Sequence, residues 1–151
     1  MDRQDVARQT QVEHEMLKLI MEGLRVTAGW QVHGPDASRK LSTLRFIAQS
    51  FQRHLERLLA LEEHDGYMDL LAACEPRLSR AADALRAEHD LFRTEAGQIA
   101  HRLEQLTATD PAALGGVCDD LLALLRRIEA HSGKEIHLLQ EAFGRDGGGE
   151  G

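Results

Sequence analysis

Five polar side chains fall where four helical stripes of apolar residues would otherwise run unbroken: His14, Glu62, His89, His131 and Glu135. An imidazole or carboxylate turned into a helical core is costly unless it is paired, so each of these demands a partner. A backbone carbonyl satisfies one buried histidine, but five such groups drawn from four stripes point to a shared partner. Neutral imidazole donates to iron or zinc, and carboxylates bridge metals and offset their charge. The mixed nitrogen and oxygen set therefore suits iron, manganese or zinc. The sharpest local signal is His131-x-x-x-Glu135, because a four-residue step puts both side chains on one helix face about 6 Å apart. Gly133, between them, leaves room beside the pair.

The elements that must position these groups follow from three prolines, Pro35, Pro76 and Pro111, each lying where a helical period breaks. Proline is tolerated in the first helical turn and expelled from helix interiors, so the chain divides into four long segments. The first spans about Asp2 to Gly29. The second extends to about His64, with Asp36 or Ser38 as its cap. A short helix, Tyr67 to Cys74, follows the Asp65-Gly66 break. The third long helix runs from Pro76 to Leu106, and the fourth, opened by Asp110-Pro111, reaches Phe143.

Counting in threes and fours gives the inward faces. They read Ala7, Thr10, His14, Leu17, Met21, Leu24 and Ala28 in the first helix, and Leu41, Leu44, Ala48, Phe51, Leu55, Leu58 and Glu62 in the second. The third and fourth carry Leu85, His89, Phe92 and Ile128, His131, Glu135, Leu138 at their centres. Short connections between such helices predict an all-α fold, an up-down-up-down antiparallel four-helix bundle over residues 1–143. Residues 144–151 form a glycine-rich tail that is expected to be disordered.

Composition narrows the function. The 151 residues include 25 acidic and 18 basic side chains, a formal charge of −7, with no basic stripe, so nucleic acid is repelled. The charged start lacks a hydrophobic signal region, and no apolar run approaches the roughly 20 residues of a membrane span. A cytoplasmic protein is expected, in which Cys74 and Cys118 act as small hydrophobes. His33, His64, His101 and His137 fall in turns or off the stripes and are read as surface residues. Glu63, Glu88 and Asp90 adjoin the candidate ligands and could orient them from outside. A ferritin-like oxidase needs Glu-x-x-His on two helices. None of the eight histidines has that spacing, so a binding protein rather than an enzyme is expected.

From about Val12 to Phe143 the chain resembles hemerythrin-like proteins of the HHE cation-binding type. Their pattern is a histidine on the first helix, H-x-x-x-E on the second, a histidine on the third and H-x-x-x-E on the fourth. Glu13-His14-Glu15, Leu58-Leu59-Ala60-Leu61-Glu62, Glu88-His89 and His131-Ser132-Gly133-Lys134-Glu135 match these in turn. The resemblance implies a non-haem iron centre, often di-iron, bridged by Glu62 and Glu135. His89 and His131 would serve one metal, and His14 with a second imidazole the other. It also implies binding or sensing of dioxygen or nitric oxide, or iron handling. Leu58 stands where that second imidazole is expected. Three outcomes are open: a second site completed by water, a mononuclear centre, or His54 as the replacement one turn earlier. The alternative function is a metal-free helical interaction module.

Overall fold

The structure is a computed structural model that describes residues 3–64 and 66–144. Every element among them is helical: α1 (Arg3–Ala28), α2 (Pro35–Glu63), α3 (Tyr67–Ala72), α4 (Pro76–Gln105) and α5 (Pro111–Gly144). None of these helices is long and apolar enough to cross a membrane.

All three prolines occupy the first helical position, where the missing N–H would have had no partner. At α5 the cap is the one expected, Asp110 Oδ1 accepting the Ala113 N–H at 3.0 Å. At α2 neither Asp36 nor Ser38 caps. The helix has already begun at Pro35, and Gly34 takes the cap position at φ 62°, a conformation that favours glycine. The short helix ends at Ala72 rather than Cys74, whose N–H closes a turn on the Leu71 carbonyl. Gly144 is the last residue of α5, so the tail expected from that position lies otherwise outside the described residues.

The predicted stripes of α2, α4 and α5 are buried. In α1 the stripe holds from Leu17 to Ala28, but Ala7 is exposed and Val6 is buried in its place. Counting back from Thr10 by four instead of three reaches Val6, and the larger apolar side chain takes the inward position. Cys118 is in the core as expected, whereas Cys74 is exposed beyond the end of α3.

Two basic side chains on α2 close the C-terminal ends of its neighbours, where carbonyls lack intrahelical donors. Buried Lys40 donates to the Ala28 and Trp30 carbonyls, both at 2.9 Å. Arg45 donates to Leu103 at 2.8 Å and to Leu106 at 2.6 Å. Further contacts between α2 and α4 are Glu56 with Arg93 and Glu63 with His89, so position rises along one helix as it falls along the other. The same holds between α4 and α5, through Arg77–Glu141, Glu88–Lys134 and Arg102–Asp120.

The apolar interior is in two parts. The larger contains Leu24, Leu44, Leu55, Leu58, Phe92 and Ile128. The smaller joins Met68 and Leu71 of α3 to Leu78, Leu85 and Leu138. Between Leu85 and Phe92 on α4 stands His89, and between Ile128 and Leu138 on α5 stand His131 and Glu135. The polar candidates thus form a layer where the two apolar clusters meet.

Candidate metal centre

Three helices supply four buried donors to this layer. One ligand atom from each of Glu62, His89, His131 and Glu135 lies within 4.8 Å of the other three. His89 Nε2 is 3.0 Å from His131 Nε2, 3.2 Å from Glu62 Oε2 and 3.7 Å from Glu135 Oε1. His131 Nε2 also pairs with Glu135 Oε1 one turn along α5. Two imidazole nitrogens bound to one ion at about 2.1 Å and a right angle stand about 3.0 Å apart, so the nitrogen spacing suits a shared cation.

Both rings are fixed from behind by carboxylates. His89 Nδ1 pairs with Glu63 Oε1 at 2.8 Å, and His131 Nδ1 with Glu88 Oε2 at 2.6 Å. Each carboxylate is held in turn by a cation. Arg93 grips both oxygens of Glu63 at 2.9 Å, and Lys134 reaches Glu88 at 2.6 Å. An imidazole whose outer nitrogen donates to a carboxylate presents its other nitrogen, with its lone pair, to the interior. Phe92 packs edge-on against the His131 ring, with centroids 5.2 Å apart, and limits its rotation.

Glu62 is the most informative of the four. Its side chain is 1% exposed, yet neither oxygen has a hydrogen-bond donor, although His14 and His89 nitrogens stand at 3.0 and 3.2 Å. Both nitrogens are within ion-pair distance and out of hydrogen-bonding alignment. A buried carboxylate without donors is unfavourable, and donors and lone pairs converging without bonding fit a cation among them.

The electrostatics describe what balances the cluster when only protons are available. Burial lowers the affinity of His89 for a proton, but the surrounding carboxylates of Glu135, Glu62 and Glu63 outweigh this and raise its pKa from 6.5 to about 9. His131 is also raised, burial being overcome chiefly by Glu135. Burial pushes the Glu135 carboxyl up, while His131 and His89 pull it down to about 2. Glu63 and Glu88 are lowered too, burial yielding to Arg93 and His89 for one and to Lys134 and His131 for the other. A cation held by this cluster would therefore compete with protons for the same nitrogens.

No protein-family model, curated protein or solved structure matches this chain.

The remaining candidates sit around the four. His14 approaches Glu62 from α1 with a side chain 39% exposed, at the rim of the cluster. His54 is not brought to it: its Nδ1 pairs with Glu13 Oε2 at 2.7 Å, between α1 and α2. Leu58 is buried in the larger apolar cluster. Asp90 is exposed and meets the site only through Arg93. His33, His64, His101 and His137 are exposed, as expected.

One side of the layer opens into a cleft of about 550 Å³ between α1, α5 and the start of α3, lined by His14, Glu62, Tyr67 and Glu135 with Val6, Leu61 and Ile136. Tyr67 is a site residue that sequence reasoning missed. Its hydroxyl is buried near Glu135 without an aligned hydrogen bond, and burial, with the nearby carboxylates of Glu135 and Glu62, raises its pKa far above the ordinary range. It opens a helix of six residues, too short to carry a periodic signal.

Proposed function

We propose that this chain is a non-haem metal-binding protein of the hemerythrin type, with iron held by Glu62, His89, His131 and Glu135. The observation that carries this reading is the convergence of four buried donors whose two imidazoles are each oriented by an outer carboxylate. Zinc and manganese suit the same nitrogen and oxygen set. The up-down-up-down arrangement that such a bundle requires is supported by the contact order, rising along one helix as it falls along the next.

Bound ferrous iron would supply an electron-rich centre with an open coordination position, suited to dioxygen or nitric oxide. The chain's own residues do the rest. Glu63 and Glu88 hold the imidazole rings in place, the apolar clusters above and below keep water from most of the layer, and the cleft admits a small molecule. Binding or sensing of a diatomic gas, or iron storage, is the role this arrangement supports.

The metal-free reading has one observation in its favour: Glu135 is held ionised by His131 and His89, so protons alone can balance the cluster. Elemental analysis of protein purified without a histidine tag separates the two. The expected result is at least one iron, zinc or manganese per chain, lost in His131→Ala. Traces of all three in every preparation would favour the helical interaction module.

A further inference from the structure

Three buried side-chain atoms among the described residues have no hydrogen-bond partner: both oxygens of Glu62, and Tyr67 Oη. A phenol donates and a carboxylate accepts, so a purely structural cluster would turn these groups toward each other. Leaving each unpaired is unfavourable. The three orphans line one cleft, and His14 and Glu135 line it with them. His14 Nε2 stands 3.0 Å from Glu62 Oε1 out of hydrogen-bonding alignment. The same cleft wall thus gathers one imidazole, two carboxylates and one phenol.

The local fold brings Tyr67 there at some expense of freedom. Gly66, immediately before it, passes so close to the end of α2 that a Cβ would lie 2.4 Å from the Leu61 carbonyl oxygen and 2.6 Å from that of Glu62. Met68 and Leu71 are fully buried and anchor α3 against α4. The backbone of Tyr67 is therefore held beside the end of α2.

We propose that the cleft side of the cluster is a second cation site, held by His14, Glu62, Glu135 and Tyr67, in which the phenol oxygen supplies the ligand that Leu58 does not. This rests on the reading of the core cluster as a metal centre, and deepens it. His89 and His131 serve one ion, and His14 and Tyr67 the other. The two carboxylates lie between them. A phenolate with carboxylates and one imidazole is a hard donor set, suited to ferric iron or manganese. On binding, the Tyr67 O–H bond breaks, the oxygen keeps the electron pair that it donates to the cation, and the proton leaves to solvent through the open cleft.

The chain has one tyrosine, which makes the test specific. A phenolate bound to ferric iron gives an intense visible charge-transfer band, and here only Tyr67 can be its source. The experiment loads wild type and Tyr67→Phe with iron, oxidises both, and measures iron per chain and the visible spectrum. Phenylalanine keeps the ring and its packing, so the substitution removes the hydroxyl alone. The expected result is two irons per chain and the band in wild type, with one iron and no band in Tyr67→Phe. Two irons and an unchanged spectrum in the variant would overturn the proposal, as would one iron and no band in wild type, the hydroxyl then pairing with water only. In both of those outcomes the core centre stands. A wild type that takes up no iron would sink the core centre as well.

Discussion

Each core imidazole is gripped at its outer nitrogen, and that grip sets how tightly the inner nitrogen can hold a cation. Glu88 joins His131 to Lys134 and is itself only partly buried, so it can be removed without opening the core. Glu88→Ala should weaken metal affinity by about 10–100-fold, as loss of an outer partner does elsewhere. Competition against a chromophoric chelator measures this, and an affinity equal to wild type would mean that the His131 ring needs no such support. The same contacts give the metal-stripped protein a pH signature. His89, raised from 6.5 to about 9, contributes stability that is fully present below pH 6.5 and lost as the pH rises through 9. Glu135, lowered from 4.5 to about 2, contributes stability present above pH 4.5 and lost as the pH falls through 2. For these two groups the stripped protein is therefore best stabilised between about pH 4.5 and 6.5. Urea unfolding should show a lower midpoint at pH 9 than at about pH 6, and bound metal should reduce the difference because it uses neutral imidazole. Equal midpoints in the stripped protein would show that His89 takes up no extra proton on folding.

At the scale of the elements, α3 connects the backbone to the site. Gly66→Ala places a methyl group against the Leu61 and Glu62 carbonyls, so either α3 or the end of α2 must move. Overpacking of this kind costs about 1–3 kcal/mol. The variant should melt earlier and hold less metal, since Glu62 occupies the displaced turn. By contrast, Asp110→Ala removes only the cap of α5, far along the helix from His131, and should cost about 1 kcal/mol with metal content unchanged. Thermal unfolding with metal analysis of both variants checks the distinction. A Gly66→Ala protein with full stability and full metal would show that α3 does not set the position of Glu62.

These elements also mark how far the sequence could be read. The stripes around Leu55, Phe92 and Leu124 repeat over about six turns or more, so Glu62, His89, His131 and Glu135 were legible as interruptions in a long period. His14 was legible as a position but not as a rim residue, because exposure depends on how far α1 stands from α5. His54 shares the helix face of Leu58 closely enough that only the Glu13 side chain, from another helix, decides where it points. Tyr67 was not legible at all. Its place is set by a close backbone approach at Gly66, and no spacing pattern records that.

For the molecule as a whole, the centre lies between two apolar clusters that depend on it differently. The larger draws on α1, α2, α4 and α5, while the smaller is built from α3 and the adjoining ends of α4 and α5. A cation bound between them would tie both to one point, and a ligand that binds only the folded state stabilises it by about 2.7 kcal/mol at a hundredfold excess over its dissociation constant. The acidic balance of the chain, −7 in formal charge, also favours cation uptake. The most direct test is anaerobic titration of the metal-stripped protein with ferrous ion in weakly buffered solution near neutral pH, following heat and released protons together. Saturable uptake of at least one ion per chain is predicted, with protons released from the His89 imidazolium, and with both signals lost in His131→Ala that retains its helical circular dichroism. Absence of saturable uptake, or uptake equal in the folded variant, would contradict a metal centre at Glu62, His89, His131 and Glu135.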